Sequence, residues 1–311
     1  MKSFASSAEV SVRARWTIVA ALSLAAACSD NSQQPTSPTQ SIAEDRTELA
    51  TGPRTHVFYA KGQAGRKPGS ADMIWHNGPI MTSVVSQNIF WGTSWANYSG
   101  DEITGLDAFM AGYSGSNYAK TSDEYTGTNG TVGNTVTAGS HIIDATAASG
   151  GGNTGAILAE VCKVIANPVA NGYYSVYTDL PRGNAGYCAW HSHGTCNGVG
   201  VQFAFFWKLD DDAGCDPVDN TTGHSQGLAA LANVAAHELS EARTDPDVQG
   251  GWYDRQGAEN GAKCAWTFNV ASVTFSNGTR WKVQGEWSNK AFDTGTGYPN
   301  RSGQKGCLDG H

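Results

Sequence analysis

The chain has 311 residues, 15% of them charged, with 38 Gly, 10 Trp and a net charge of -8. It is too polar and Gly-rich for a membrane bundle and too aromatic for a disordered protein. The acidic balance excludes a nucleic-acid partner bound through a basic footprint, and beyond the N-terminus no run reaches the roughly 20 apolar residues of a membrane span.

The N-terminus reads as an export signal over residues 1–27. Lys2, Arg13 and Arg15 precede an apolar run from Trp16 to Ala27, which closes on Ala25-Ala26-Ala27 before Cys28. A Cys at that place resembles the lipidated residue of a bacterial lipoprotein, with Leu24 one position further upstream than usual. The expected location is an exported, outer-membrane or cell-surface lipoprotein, held to the membrane only through Cys28. An ordinary secretory peptide is the alternative. Residues 28–56, rich in Ser, Gln, Thr and Pro, read as a disordered tether. The folded domain is expected over 57–311.

Cysteine usage agrees with export. Of seven Cys, setting Cys28 aside leaves Cys162, Cys188, Cys196, Cys215, Cys264 and Cys307, enough for three disulfides. Spacing alone does not decide the pairing, although Cys188 and Cys196 are close enough in sequence for a local bridge. The absence of a tight C-x-x-C pair argues against a zinc ribbon.

Along the domain, Met73–Trp75 and Val84–Trp91 read as strands around the His76-Asn77-Gly78-Pro79 turn. Residues 101–110 read as a short helix, and the Gly/Thr/Asn/Ser-rich stretch 126–155 as loops with short edge strands. Ile157, Val161 and Val164 predict a helix over 156–167. The aromatic and β-branched runs 173–178 and 199–207 suit buried strands. His191 and His193 are expected in a Gly-rich loop near Cys196, where one of them could line a cleft. Asp210-Asp211-Asp212 lacks the spacing of a calcium loop and reads as a solvated turn. The expected fold is α+β, a single zincin-like domain with a mixed sheet, stabilised by disulfides.

The most informative helix starts at an N-cap, Ser225, and ends before Pro246. Between Asn220 and Ala236 it carries no Asp, Glu, Lys or Arg, the mark of a helix buried on most sides. Leu228, Leu231, Ala235, Leu239 and Ala242 form one stripe, and His237 and Glu241 lie opposite. His237-Glu238-x-x-Glu241 places an imidazole and a carboxylate at i and i+4, where both can reach one cation. The pattern is one residue short of H-E-x-x-H, with Glu in place of the second His. The functional reading makes His237 and Glu241 ligands of Zn²⁺ and Glu238 the general base. The plain alternative is a polar last turn, with His237 paired to Glu241 and Arg243 complementing the helix dipole.

Several blocks together resemble the EXORDIUM, or phosphate-induced protein 1, family. They are Trp75-His76-Asn77-Gly78-Pro79, Phe90-Trp91-Gly92, Gly186-Tyr187-Cys188-Ala189-Trp190-His191, the Asp-rich loop with Cys215, His237 to Ala242, Thr244-Asp245-Pro246, Trp252-Tyr253, Glu259 and Cys264. Plant members are extracellular, associated with growth and cell-wall responses, and have no established catalysis. Beyond the helix, Asp245, Asp247, Asp254 and Glu259 are candidate donors. The resemblance favours Glu259 as the third ligand, because it matches a family Glu five residues before a Cys. The family has Asn at the position of Asp245 and an apolar residue at that of Asp247, and Ala262 stands where plant members have Asp. Two functions follow as expectations. One is a zinc-dependent, peptidase-like hydrolase of the cell envelope. The other is a non-catalytic module that binds a polysaccharide or protein partner around a structural metal, using its Trp and Tyr to stack on sugars.

Overall fold

The structure is a computed structural model that describes residues 55–63, 71–150 and 152–310. The expected export signal, Cys28 and most of the expected tether lie outside the described residues. A mixed seven-stranded sheet forms the centre. Its strands are β1 (Thr55–Tyr59), β2 (Val84–Trp91), β3 (Val136–Ala138), β4 (Ile142–Asp144), β5 (Gly172–Pro181), β6 (Tyr187–Cys196) and β7 (Val199–Lys208). The order is β1-β6-β7-β5-β2-β3, with β4 also on β2. β1, β6 and β7 run antiparallel, whereas β7, β5, β2, β3 and β4 are joined by parallel pairings.

Period-two alternation divides the sheet into two apolar faces. Phe90, Tyr173, Tyr177, Ala204 and Phe206 pack on α1 (Glu102–Tyr113) and α3 (Gln226–Thr244). Ile89, Tyr174, Val176, Phe203 and Phe205 pack instead on α2 (Thr154–Val164) through Ile157 and Val161. Covering both faces with helices is what buries the long apolar strands β5 and β7. Smaller sheets complete the fold. Trp252–Tyr253 pairs with Ile74–Trp75, and Glu286–Trp287, Lys305–Leu308 and Tyr298–Pro299 form a three-stranded sheet. The α+β class and mixed sheet are therefore present. Among the described residues no helix is long and apolar enough to cross a membrane.

Three expectations change. The tether boundary at 56 is too late, because Thr55 and His56 already pair with Ser192 and His191 of β6. The stretch around His191 is a strand rather than a loop. Its Gly194 gives room to α2, since a Cβ there would come within 2.5 Å of Leu158 Cδ2 and that side chain would have to shift. A Cys188–Cys196 bridge is ruled out because both lie on β6, where eight extended residues separate them by roughly 26 Å. The bridges are Cys162–Cys196, Cys188–Cys215 and Cys264–Cys307. Arg243, which the plain alternative set against the helix dipole, does lie in the last turn of α3 and is fully buried. It donates to Tyr113 Oη at 2.7 Å, to Ala119 O at 2.9 Å and to Gly133 O.

Candidate metal centre

Helix α3 presents the motif without any solvated face. Ser225 Oγ accepts from Leu228 N–H at 3.1 Å to cap its start, and every residue from Gly227 to Thr244 is buried. Such a helix must place its polar groups against other polar groups or leave them unsatisfied. His237 and Glu241 share one side, where Nε2 of His237 lies 3.0 Å from Oε1 of Glu241. The ring of His237 stacks on Phe58 of β1, centroid to centroid at 3.9 Å.

The opposing donors come from the sheet. His56 of β1 and His191 of β6 are cross-strand partners, with ring centroids 5.7 Å apart. Phe58, two residues after His56, falls on the same face of β1, which is why it reaches His237. His191 Nδ1 hydrogen-bonds Glu238 Oε2 at 3.0 Å and lies 3.6 Å from Glu241 Oε2.

A loop after α3 supplies the third side. Asp254 Oδ1 accepts from the N–H groups of Gln256 and Ala258, both at 2.9 Å, which folds the chain back before Glu259. Glu259 then contacts His56 Nδ1 and lies 3.8 Å from His191 Nε2. Gly261 lets this loop approach the helix, since a Cβ there would come within 2.9 Å of His237 Nδ1. The next residue, Ala262, donates its N–H to Glu241 Oε1 at 2.7 Å. Cys264 ties the end of the loop to Cys307.

Three imidazoles and three carboxyls thus converge. The donor atoms of His56, Glu241 and Glu259 lie within 4.8 Å of one another, and so do those of His191, Glu238 and Glu241. A cavity of about 400 Å³ reaches this cluster and is lined by His56, His237 and Glu241 together with Phe58, Trp266 and Arg301. Glu238, Glu259 and His191 lie behind its wall, each with no exposed surface. Oε1 of Glu259, Oε1 of Glu238 and Nε2 of His191 have no hydrogen bond.

Electrostatics single out one carboxylate. Burial opposes the ionisation of Glu241, yet His237, His191 and His56 together hold its pKa down to about 2. Burial, reinforced by the charge of Glu241, pushes Glu238 well above the carboxylate range. Burial also raises Glu259 strongly, with Glu241 and Asp245 adding to the effect. His191 falls to about 3, mainly through burial, and is a neutral imidazole at neutral pH.

Of the residues expected at the site, His237, Glu238, Glu241 and Glu259 do come together. Their roles look different in space. Glu238 is directed at His191 rather than at the cavity, so the placement expected of a base beside a metal-bound water is not observed. Asp245 accepts from Gly250 and Gly251 N–H at 3.0 and 2.7 Å and shapes the turn after α3. Asp254 shapes the next loop. His76 stacks on Tyr253 at 3.5 Å, and Asp212 pairs with Arg182, both structural roles. Sequence reasoning missed His56 because it lay within the assumed tether; the alternation Thr55-His56-Val57-Phe58-Tyr59 was the available signal. It missed Gln284, whose role depends entirely on long-range contacts. No protein-family model matches the chain, and neither does any curated protein or solved structure.

Proposed function

We propose that the chain is an exported, EXORDIUM-like protein with one divalent-metal site, and that it acts as a zincin-like, metal-dependent hydrolase on peptide-like material of the cell envelope. The carrying observation is that His56, Glu241 and Glu259 cluster beside a cavity large enough for a substrate group, with His56 and Glu241 in its lining and Glu259 behind its wall. Mixed imidazole and carboxylate donors suit Zn²⁺, and two carboxylates with a neutral His would leave the site uncharged. A dication also resolves the electrostatic conflict, since it would allow Glu259 to ionise beside Glu241. Bound zinc would acidify water and polarise a carbonyl facing the cavity.

Metal analysis of the purified protein, before and after chelation, tests the reading. One zinc per chain is expected, with removal lowering the melting temperature. Sub-stoichiometric metal with an unchanged melting temperature overturns the site. Chelator-sensitive cleavage of envelope peptides is expected alongside it. Tightly bound metal without cleavage favours the second reading, a binding module around a structural ion. That reading draws support from Trp75 and Ile74, which are 36% and 38% exposed beside the stacked pair His76–Tyr253, an aromatic surface on which a sugar ring could lie.

A further inference from the structure

We propose that the helix motif braces the metal rather than binding it through its first two residues. In this assignment His191 is a fourth ligand through Nε2, Glu238 holds His191 in place, and His237 is a positioning residue that supports Glu241. The inference rests on the metal-site reading above and divides the roles within it.

Gln284 decides the role of His237. Its Oε1 accepts from the backbone N–H of Trp266 at 3.1 Å, and its Nε2 donates to the backbone carbonyl of Gly261 at 2.9 Å. Backbone groups cannot exchange donor and acceptor roles, so the amide has only one satisfied orientation. Its main-chain N–H is anchored on Asn233 Oδ1 at 2.8 Å, one turn before His237. The amide therefore presents an N–H to His237 Nδ1 at 3.0 Å, and Nδ1 must accept it. A neutral imidazole that accepts at Nδ1 carries its proton on Nε2 and has no lone pair left there for a metal.

Position agrees with the tautomer. His237 belongs to neither group of donors within 4.8 Å of one another, whereas His191 is grouped with Glu238 and Glu241 and its Nε2 would have to move closer to join His56 and Glu259. Nε2 of His237 faces Glu241 Oε1 at 3.0 Å, in a contact too bent for a well-directed hydrogen bond. Ala262 N–H meets the same oxygen at 2.7 Å. With Oε1 held from two sides, Oε2 of Glu241 is the oxygen left for a cation.

His191 has the complementary arrangement. Nδ1 is engaged by Glu238 Oε2 at 3.0 Å, a hydrogen-bond length. In this assignment Nδ1 keeps its proton for Glu238, so the grouping of His191, Glu238 and Glu241 is not a second metal site. Nε2 of His191 is fully buried, has no hydrogen bond, and lies 3.8 Å from Glu259 Oε2. Two donors each about 2.1 Å from one zinc sit roughly 3–4 Å apart, which this spacing satisfies. A carboxylate on the far nitrogen of a ligating imidazole is a recurrent means of fixing its tautomer and orientation.

X-ray absorption on the zinc-loaded, full folded protein counts the imidazoles, and nitrogen-15 spectra of the same sample report the tautomer of His237. Two imidazoles, one zinc per chain and a proton on Nε2 of His237 are expected. His237→Asn should keep both imidazoles and weaken zinc affinity about 10–100-fold. His191→Ala should lose one, and Glu238→Gln, whose amide oxygen can still accept from Nδ1, should keep two. Three imidazoles, two zinc ions, a proton on Nδ1 of His237, or loss of an imidazole in His237→Asn each overturn the assignment. A single imidazole removes His191 but leaves the metal-site reading standing. Protein without zinc sinks that reading and this assignment with it. If His237→Asn does not fold, the tautomer and count in the unaltered protein decide.

Discussion

Glu102 is fully buried at the start of α1, near Asp210 and beside the first turn of α3. Burial first, and the hydrogen bond and charge of Asp210 next, push its pKa from 4.5 to about 8. A raised carboxyl pKa means that the folded state holds a proton the unfolded chain releases above 4.5. The associated stability is present at low pH and is lost as pH rises from 4.5 towards 8, levelling off above. Glu102→Gln should flatten that fall. We expect a gain on the order of 1–3 kcal/mol at pH 8 and little change at pH 4, read from urea midpoints. Parallel pH curves for the two proteins would contradict it. The same physics acts on Glu238 and Glu259, whose ionisation requires a compensating positive charge.

At the scale of the element, α3 organises the molecule through both of its ends. The N-terminal turns pack on the sheet through Leu228, Leu231 and Ala235, and the last turn sends Arg243 under the loop 113–134. There the guanidinium holds Tyr113, whose hydroxyl lies 3.5 Å from Glu286 Oε1. Thr121 and Ser122 donate to the other oxygen of Glu286 at 2.7 and 3.1 Å. Arg243→Leu would leave buried carbonyls and Glu286 without compensation. A loss on the order of 3–5 kcal/mol is expected in denaturant unfolding. A loss under about 1 kcal/mol would mean that the loop holds itself.

At the scale of the whole molecule, the three disulfides have unequal consequences. Cys162–Cys196 joins α2 to the end of β6, a strand already held by ladders on both sides. Cys264–Cys307 anchors the end of the loop that carries Glu259, where regular structure is limited to the turn Asn260–Lys263. Replacing either pair by Ala should cost roughly 3–4 kcal/mol from the freed chain entropy. Only loss of Cys264–Cys307 should also weaken zinc binding, measured by competition with a chelator. Equal zinc affinity in both double variants would show that Glu259 is positioned without the bridge.

Local signals in the sequence reached the elements whose own residues enforce them. Val84–Trp91, Val199–Trp207 and the capped, uncharged helix after Ser225 could be read because alternation, helical spacing and capping are properties of neighbouring residues. The sequence by itself also determined that His237, Glu238 and Glu241 would be buried polar groups in need of partners. Their partners were decided only by the tertiary structure. His56 and His191 meet through an antiparallel register between strands 135 positions apart in the pairing His56–His191, and Gln284 reaches His237 from a distant hairpin region. No local rule fixes such contacts, because register and packing are set by the whole sheet closing on one core. The proton on His237 is placed by backbone groups of Trp266 and Gly261, so the chemistry of the motif depends on residues that the motif does not contain.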